Sequence, residues 1–108
     1  MQGGQAAELD RVFGALAHPV RRDILDRVSE RTRTVAELAG PHELSLNAIS
    51  KHIKKLESAG LVRRDIDGTF HRISMEKQAM RDALQWLSHY VPFWHDNLQS
   101  LKATLERD

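Results

Sequence analysis

The sequence predicts a mainly helical α+β domain with one β-hairpin, and three observations carry that prediction. Apolar residues recur at helical spacing in four segments before residue 60, each with its own start or stop signal. Between Leu61 and Ser74 the pattern changes to strand period around Asp67-Gly68, and from Glu76 to Glu106 it returns to helical period. At 108 residues the chain holds one domain, taken as residues 8–108 behind a flexible N-terminus, 1–7. Its core is modest, so a subunit partner can add stability.

The elements follow in order. Leu9, Val12, Phe13 and Leu16 mark a first helix from Glu8. His18-Pro19 interrupts it, because the residue before proline is driven out of the α region. Pro19 then suits the first turn of a second helix, where its missing N–H does no harm, and Ile24, Leu25 and Val28 give that helix an apolar face. Thr34-Val35-Ala36-Glu37 fits a capping box opening a short third helix that ends near Gly40-Pro41. Ser45 is a suitable N-cap for a fourth helix, with Ile49, Ile53 and Leu56 as its apolar stripe and Gly60 as its stop. Leu61–Ile66 and Thr69–Ser74 read as two strands joined at Asp67-Gly68, since a two-residue turn demands positive φ. In the last segment Leu84, Leu87, Val91, Trp94, Leu98, Leu101 and Leu105 follow alternating steps of three and four, the seam of a helix that packs on another. Pro92 lies inside this run and must kink or split it.

Composition bounds the function. With no cysteine there is neither a disulfide framework nor a thiolate metal site. No apolar run approaches the roughly 20 residues of a membrane span, and residues 1–7 lack the pattern of a secretory signal. These features fit a cytoplasmic protein. The formal net charge is only +1, but it is unevenly spread. Residues 45–74 hold six bases and three acids, net +3, while the remainder holds ten bases and twelve acids, net −2. A polyanion-binding face requires such a concentration, although a solvated helix face also produces it.

The helices expected at 34–40 and 45–59 form the most informative pair. A short capped helix, a turn through Pro41 to Leu44 and a longer basic helix match a helix-turn-helix. In that motif the second helix enters the major groove. Ser45, Asn47, Ala48, Ser50, Lys51 and His52 stand early on it. Asparagine pairs with adenine, serine bonds most base edges, and alanine touches a thymine methyl. Lys54 and Lys55, a turn later, suit phosphates. The hairpin then reads as a wing with Gly68 at its tip. Arg64 and Arg72 share strand parity with the neighbours of that tip and would bind phosphates, while His71 has the opposite parity to Arg72. Plain helix packing in a protein-interaction module gives the same helix order, but the basic second helix and basic hairpin favour double-stranded DNA. For catalysis the sequence offers no cysteine nucleophile, no glycine-rich phosphate loop and no recognisable Ser/His/Asp setting.

Two stretches carry a resemblance. Phe13-Gly14-Ala15-Leu16-Ala17-His18-Pro19-Val20-Arg21-Arg22-Asp23-Ile24-Leu25 resembles the opening of the arsenic-repressor (ArsR/SmtB) family of bacterial regulators. Leu44 to Val62, with Ser45, Ala48, Ile49, Ser50, His52, Leu56, Ala59, Gly60 and Leu61 in register, resembles that family's recognition helix. The resemblance spans residues 8–106 and implies a winged helix-turn-helix that represses by occupying an operator. It also implies a homodimer built from the first and last helices. That adds Leu9 and Phe13 to the seam leucines, Val91 and Trp94 as expected dimer contacts. Many members sense metals through cysteines on the third helix, but here that helix reads Val35-Ala36-Glu37-Leu38-Ala39. Others use Asp-x-His with a downstream His-x-x-Glu or His-x-x-His on the last helix, and Asp82, His89, His95 and Asp96 match neither spacing. No metal or other cofactor is therefore expected, and the inducer stays open. The aromatic run Trp86, Tyr90, Phe93 and Trp94 would either line an effector pocket or pack at the seam.

Overall fold

The protein is described by a computed structural model covering residues 3–106. The side chains of residues 3–5, 91, 93–96 and 98 fall outside that description. Helix α1 (Gly3–Leu16) begins before the expected Glu8, so residues 3–7 continue the helix. Helix α2 (Pro19–Glu30) starts at Pro19 as expected and buries Ile24, Leu25 and Val28. His18 does more than precede a proline. It is the N-cap, and its Nδ1 accepts from the Val20 N–H at 3.2 Å. Strand β1 (Arg33–Thr34) leads into α3 (Val35–Ala39). The capping box is complete: Thr34 Oγ1 accepts from the Glu37 N–H at 3.2 Å, and Glu37 Oε1 accepts from the Thr34 N–H at 3.1 Å. A cap of this kind stabilises a helix start by about 1 kcal/mol. The chain continues through a 3-10 turn (Gly40–His42) and Glu43, which takes a left-handed φ of 54°.

Helix α4 (Leu46–Ser58) is capped by Ser45, whose Oγ accepts from the Ala48 N–H at 3.1 Å. The expected stripe is the buried one, since Ile49, Ile53 and Leu56 are all 0% exposed. With Ile24, Leu38, Leu61 and Ile73 they form the fully enclosed part of the core. Gly60 ends the helix with a φ of +74° that an L side chain adopts at a cost.

The wing is β2 (Val62–Asp67) and β3 (Phe70–Met75). Asp67 pairs with Phe70, so the two-residue loop is Gly68-Thr69, one position later than Asp67-Gly68. Glycine at the first central position, with φ +62°, supplies the turn's positive φ. Strand β1 adds to β3 at Arg33↔Ile73 and Thr34↔Arg72, making an antiparallel sheet in the order β1-β3-β2.

Pro92 splits the last helix. Helix α5 (Gln78–Ser88) and α6 (Val91–Glu106) are separate, and the proline falls in the first turn of α6, where it is tolerated. The expected seam is therefore not one continuous stripe. Helix α5 turns Ala83 into the core, with Ala79 and Met80 packed against it, and leaves Leu84 and Leu87 exposed. Leu101 and Leu105 on α6 are exposed as well. Val91, Trp94 and Leu98, the other seam positions, lie outside the described side chains. Leu9 and Phe13 on α1 are half-buried, and Phe13 meets Trp86 edge-on with ring centres 5.7 Å apart. Trp86 also packs on Tyr90 at 5.3 Å. These described aromatics thus pack on one another.

Candidate nucleic-acid interface

Burying one stripe of α4 fixes what its other side presents. At 100° per residue, Asn47, Lys51, Lys54 and Ser58 lie opposite Ile49, Ile53 and Leu56, with Lys55 beside them. All five are exposed. Among the described residues the Asn47 side chain has no hydrogen-bond partner, and none of the three lysines is paired with an acid. The face therefore carries one amide with free donors and acceptors and three unneutralised cations. Ser45 is exposed with its oxygen engaged as the cap, while Ala48 and Ser50 sit half-buried at the edges of this face.

Two expected contacts, His52 and Arg64, are engaged elsewhere. His52 turns back toward the scaffold. Its ring packs against His18 with centres 4.5 Å apart and planes tilted by 45°, and Arg21 Nη1 approaches its Nδ1 at 3.4 Å. A guanidinium only donates, so that nitrogen accepts. Burial, then the neighbouring His18, Arg21 and His42 charges, push the His52 pKa below its usual 6.5. Arg64 is also engaged. Its guanidinium donates through Nη2 and Nε to Glu57 Oε1 at 2.9 and 3.2 Å and lies 3.1 Å from His71 Nδ1. This ties the wing to the back of α4. Arg64 and Arg72 stand on opposite faces of the wing, because Arg64 pairs across the ladder with Ile73 and Arg72 with Asp65. Arg72 is half exposed, its guanidinium 5.9 Å from the Phe70 ring centre and 3.9 Å from Asp67. Gly68 stands exposed at the tip. Arg63 is bonded to Asp65 and Glu76, so the segment's unneutralised charge rests mainly on the lysines of α4.

The joint behind α4 is a set of interactions the sequence did not suggest. Arg21 donates through Nε to the Ala15 carbonyl at 2.7 Å and through Nη2 to the Gly14 carbonyl at 3.3 Å, while Arg22 donates to the Leu16 carbonyl at 2.8 Å. The paired arginines thus satisfy carbonyls at the end of α1, which a helix cannot satisfy itself. Asp23 binds Arg27 at 2.8 Å and His42 at 2.7 Å, and the Arg27 bond holds its carboxyl below the usual range. These bonds fix α2 to the end of α1 and to the turn that precedes α4.

The His52 environment gives a pH dependence with a definite sign. Its folded pKa lies below its unfolded value, so the unfolded chain takes up the proton first. Its contribution to stability is full above pH 6.5 and is lost as pH falls through the folded pKa. In urea titrations between pH 7.5 and pH 5, His52→Gln should flatten this acid-side loss. An unchanged slope would show that His52 does not carry it.

A short capped helix, a turn, a basic helix with a free outward face and an attached hairpin define a winged helix-turn-helix regulator that binds DNA. Known proteins agree. A family model described as a helix-turn-helix domain matches residues 16–65. The transcriptional repressor SdpR of Bacillus subtilis (strain 168) is 26% identical over 83 residues, covering 77% of this chain and 92% of SdpR. The crystal structure of an ArsR family transcriptional regulator superposes with a TM-score of 0.77 at 34% identity, covering 83% of this chain and 93% of that one. A homodimeric winged helix-turn-helix DNA-binding domain from Mycobacterium bovis, solved in solution, gives a TM-score of 0.63 at 25% identity over 93% of both chains. The chain belongs to the ArsR family of transcriptional regulators. That family comprises regulators, not enzymes. Among the described residues no helix is long and apolar enough to cross a membrane.

Proposed function

We propose that the protein is a homodimeric repressor that occupies a palindromic operator in the cytoplasm. The observation that carries this reading is the outward face of α4, where exposed Asn47 stands among Lys51, Lys54 and Lys55. Asn47 reads a base edge in the major groove, with Ser45, Ala48 and Ser50 beside it, and the lysines bind phosphates. Arg72 and the backbone at Gly68 reach the neighbouring backbone from the wing. Arg64 serves by holding the wing to α4, and His52 by seating α4 on the body. A dimer is supported by the exposed Leu84, Leu87, Tyr90, Leu101 and Leu105, which a partner's equivalents would cover, and by the homodimeric relative from Mycobacterium bovis. A two-fold axis sets the two recognition helices about 34 Å apart, one turn of duplex. Repression accords with the name of the SdpR relative.

Two substitutions test the division of labour on the face of α4. Asn47→Ala should relax sequence preference, costing selected duplex about 1–3 kcal/mol and random duplex little. Lys55→Ala should weaken both alike and lower the salt slope by about one unit. Equal losses on selected and random duplex for Asn47→Ala would remove it from base reading.

A further inference from the structure

Leu46 opens α4, yet it does not share the fate of the helix's other large apolar residues. It is 58% exposed, where Ile49, Ile53 and Leu56 are 0% exposed. It does not staple the helix start, because the residue before the Ser45 cap is Leu44, which packs against the core. Leu46 instead lines a shallow groove of about 440 Å³ with Asn47 and Ser50 of α4 and Phe70 and His71 of the wing.

We propose that Leu46 reads the C5-methyl group of a thymine at a fixed place in each half-site. The inference rests on the base-reading role of α4 proposed above and adds a residue to it. Three features point to this occupant. The first turn of a recognition helix is the part that meets base edges. The thymine methyl is the one apolar group a base pair presents in the major groove. Asn47 lines the same groove, and its amide, with the exposed Lys51 one turn further along α4, complements the edges and phosphates on either side of that methyl. Asn47 beside Leu46 would take the adenine of an adjacent pair, so the two together favour an A·T-rich step.

The test uses the full chain on duplexes selected from a random pool. Thymine should recur at one position of each half-site. Replacing it with deoxyuridine, which lacks only the methyl, should weaken binding roughly fourfold, the effect of one buried methyl group. Leu46→Ala should bind thymine and deoxyuridine duplexes equally, and Leu46→Met should restore discrimination. Thermal melts of both variants check that the fold is kept, and alanine suits the first turn of a helix. A deoxyuridine effect of the same size in Leu46→Ala would overturn the proposal, as would selected sites lacking a fixed thymine. Selection of no sequence at all would instead overturn base reading by α4 itself, and this contact with it.

Discussion

Replacing Lys51, Lys54 and Lys55 together by alanine should lower affinity for duplex DNA by about two to three orders of magnitude at 0.1 M salt. The three lysines are exposed and carry no acidic partner, so each is available to displace a counterion from the duplex. Loss of three phosphate contacts should reduce the slope of log K against log salt by about 2.7. Arg63 and Arg64 cannot substitute for them, because their guanidinium groups are already bound to Asp65, Glu76 and Glu57. Stability should hold, since exposed substitutions of this kind stay within about 0.5 kcal/mol each. Fluorescence anisotropy across a salt series measures both quantities. An unchanged slope would mean that the phosphates meet another surface.

Ile53→Ala should destabilise the fold by about 2–5 kcal/mol. Ile53 is 0% exposed and lies between Ile49 and Leu56 on the stripe that seats α4. Removing its outer carbons forfeits their transfer out of water and leaves a cavity that a packed core closes only in part. A small domain has about 5–15 kcal/mol in total, so the loss takes a large share. Urea unfolding at fixed protein concentration gives the difference, with Lys54→Ala as the exposed neighbour that should change little. A loss under about 1 kcal/mol would show that the stripe does not carry the seating of α4.

The parts of this fold legible in the sequence are those where one local rule decides. The stripe of α4, the Ser45 cap and the Thr34–Glu37 box each depend on a few neighbouring residues, and all three form as read. Strand β1 was not legible, because two residues have no period and their strand character comes only from pairing with β3. The turn slipped by one position because both Asp67-Gly68 and Gly68-Thr69 place a glycine in a two-residue loop. The heptad steps run through Pro92 without a break, yet the backbone divides there. Within the candidate site, the exposure of Asn47 and the lysines follows from helical period. The inward roles of His52 and Arg64 do not, since their partners Arg21, His18, Glu57 and His71 come from other elements. Leu46 was hidden for a related reason: its residue type suggests core, and only the packing around it leaves it in the open.

The most direct test of the account is a titration of the full chain on duplex selected from a random pool, against unselected duplex of equal length, at two salt concentrations. The account predicts a palindromic selected site, two protomers per duplex and a preference of about a thousandfold over unselected DNA. No enrichment and no binding to any duplex, even at low salt, would contradict it.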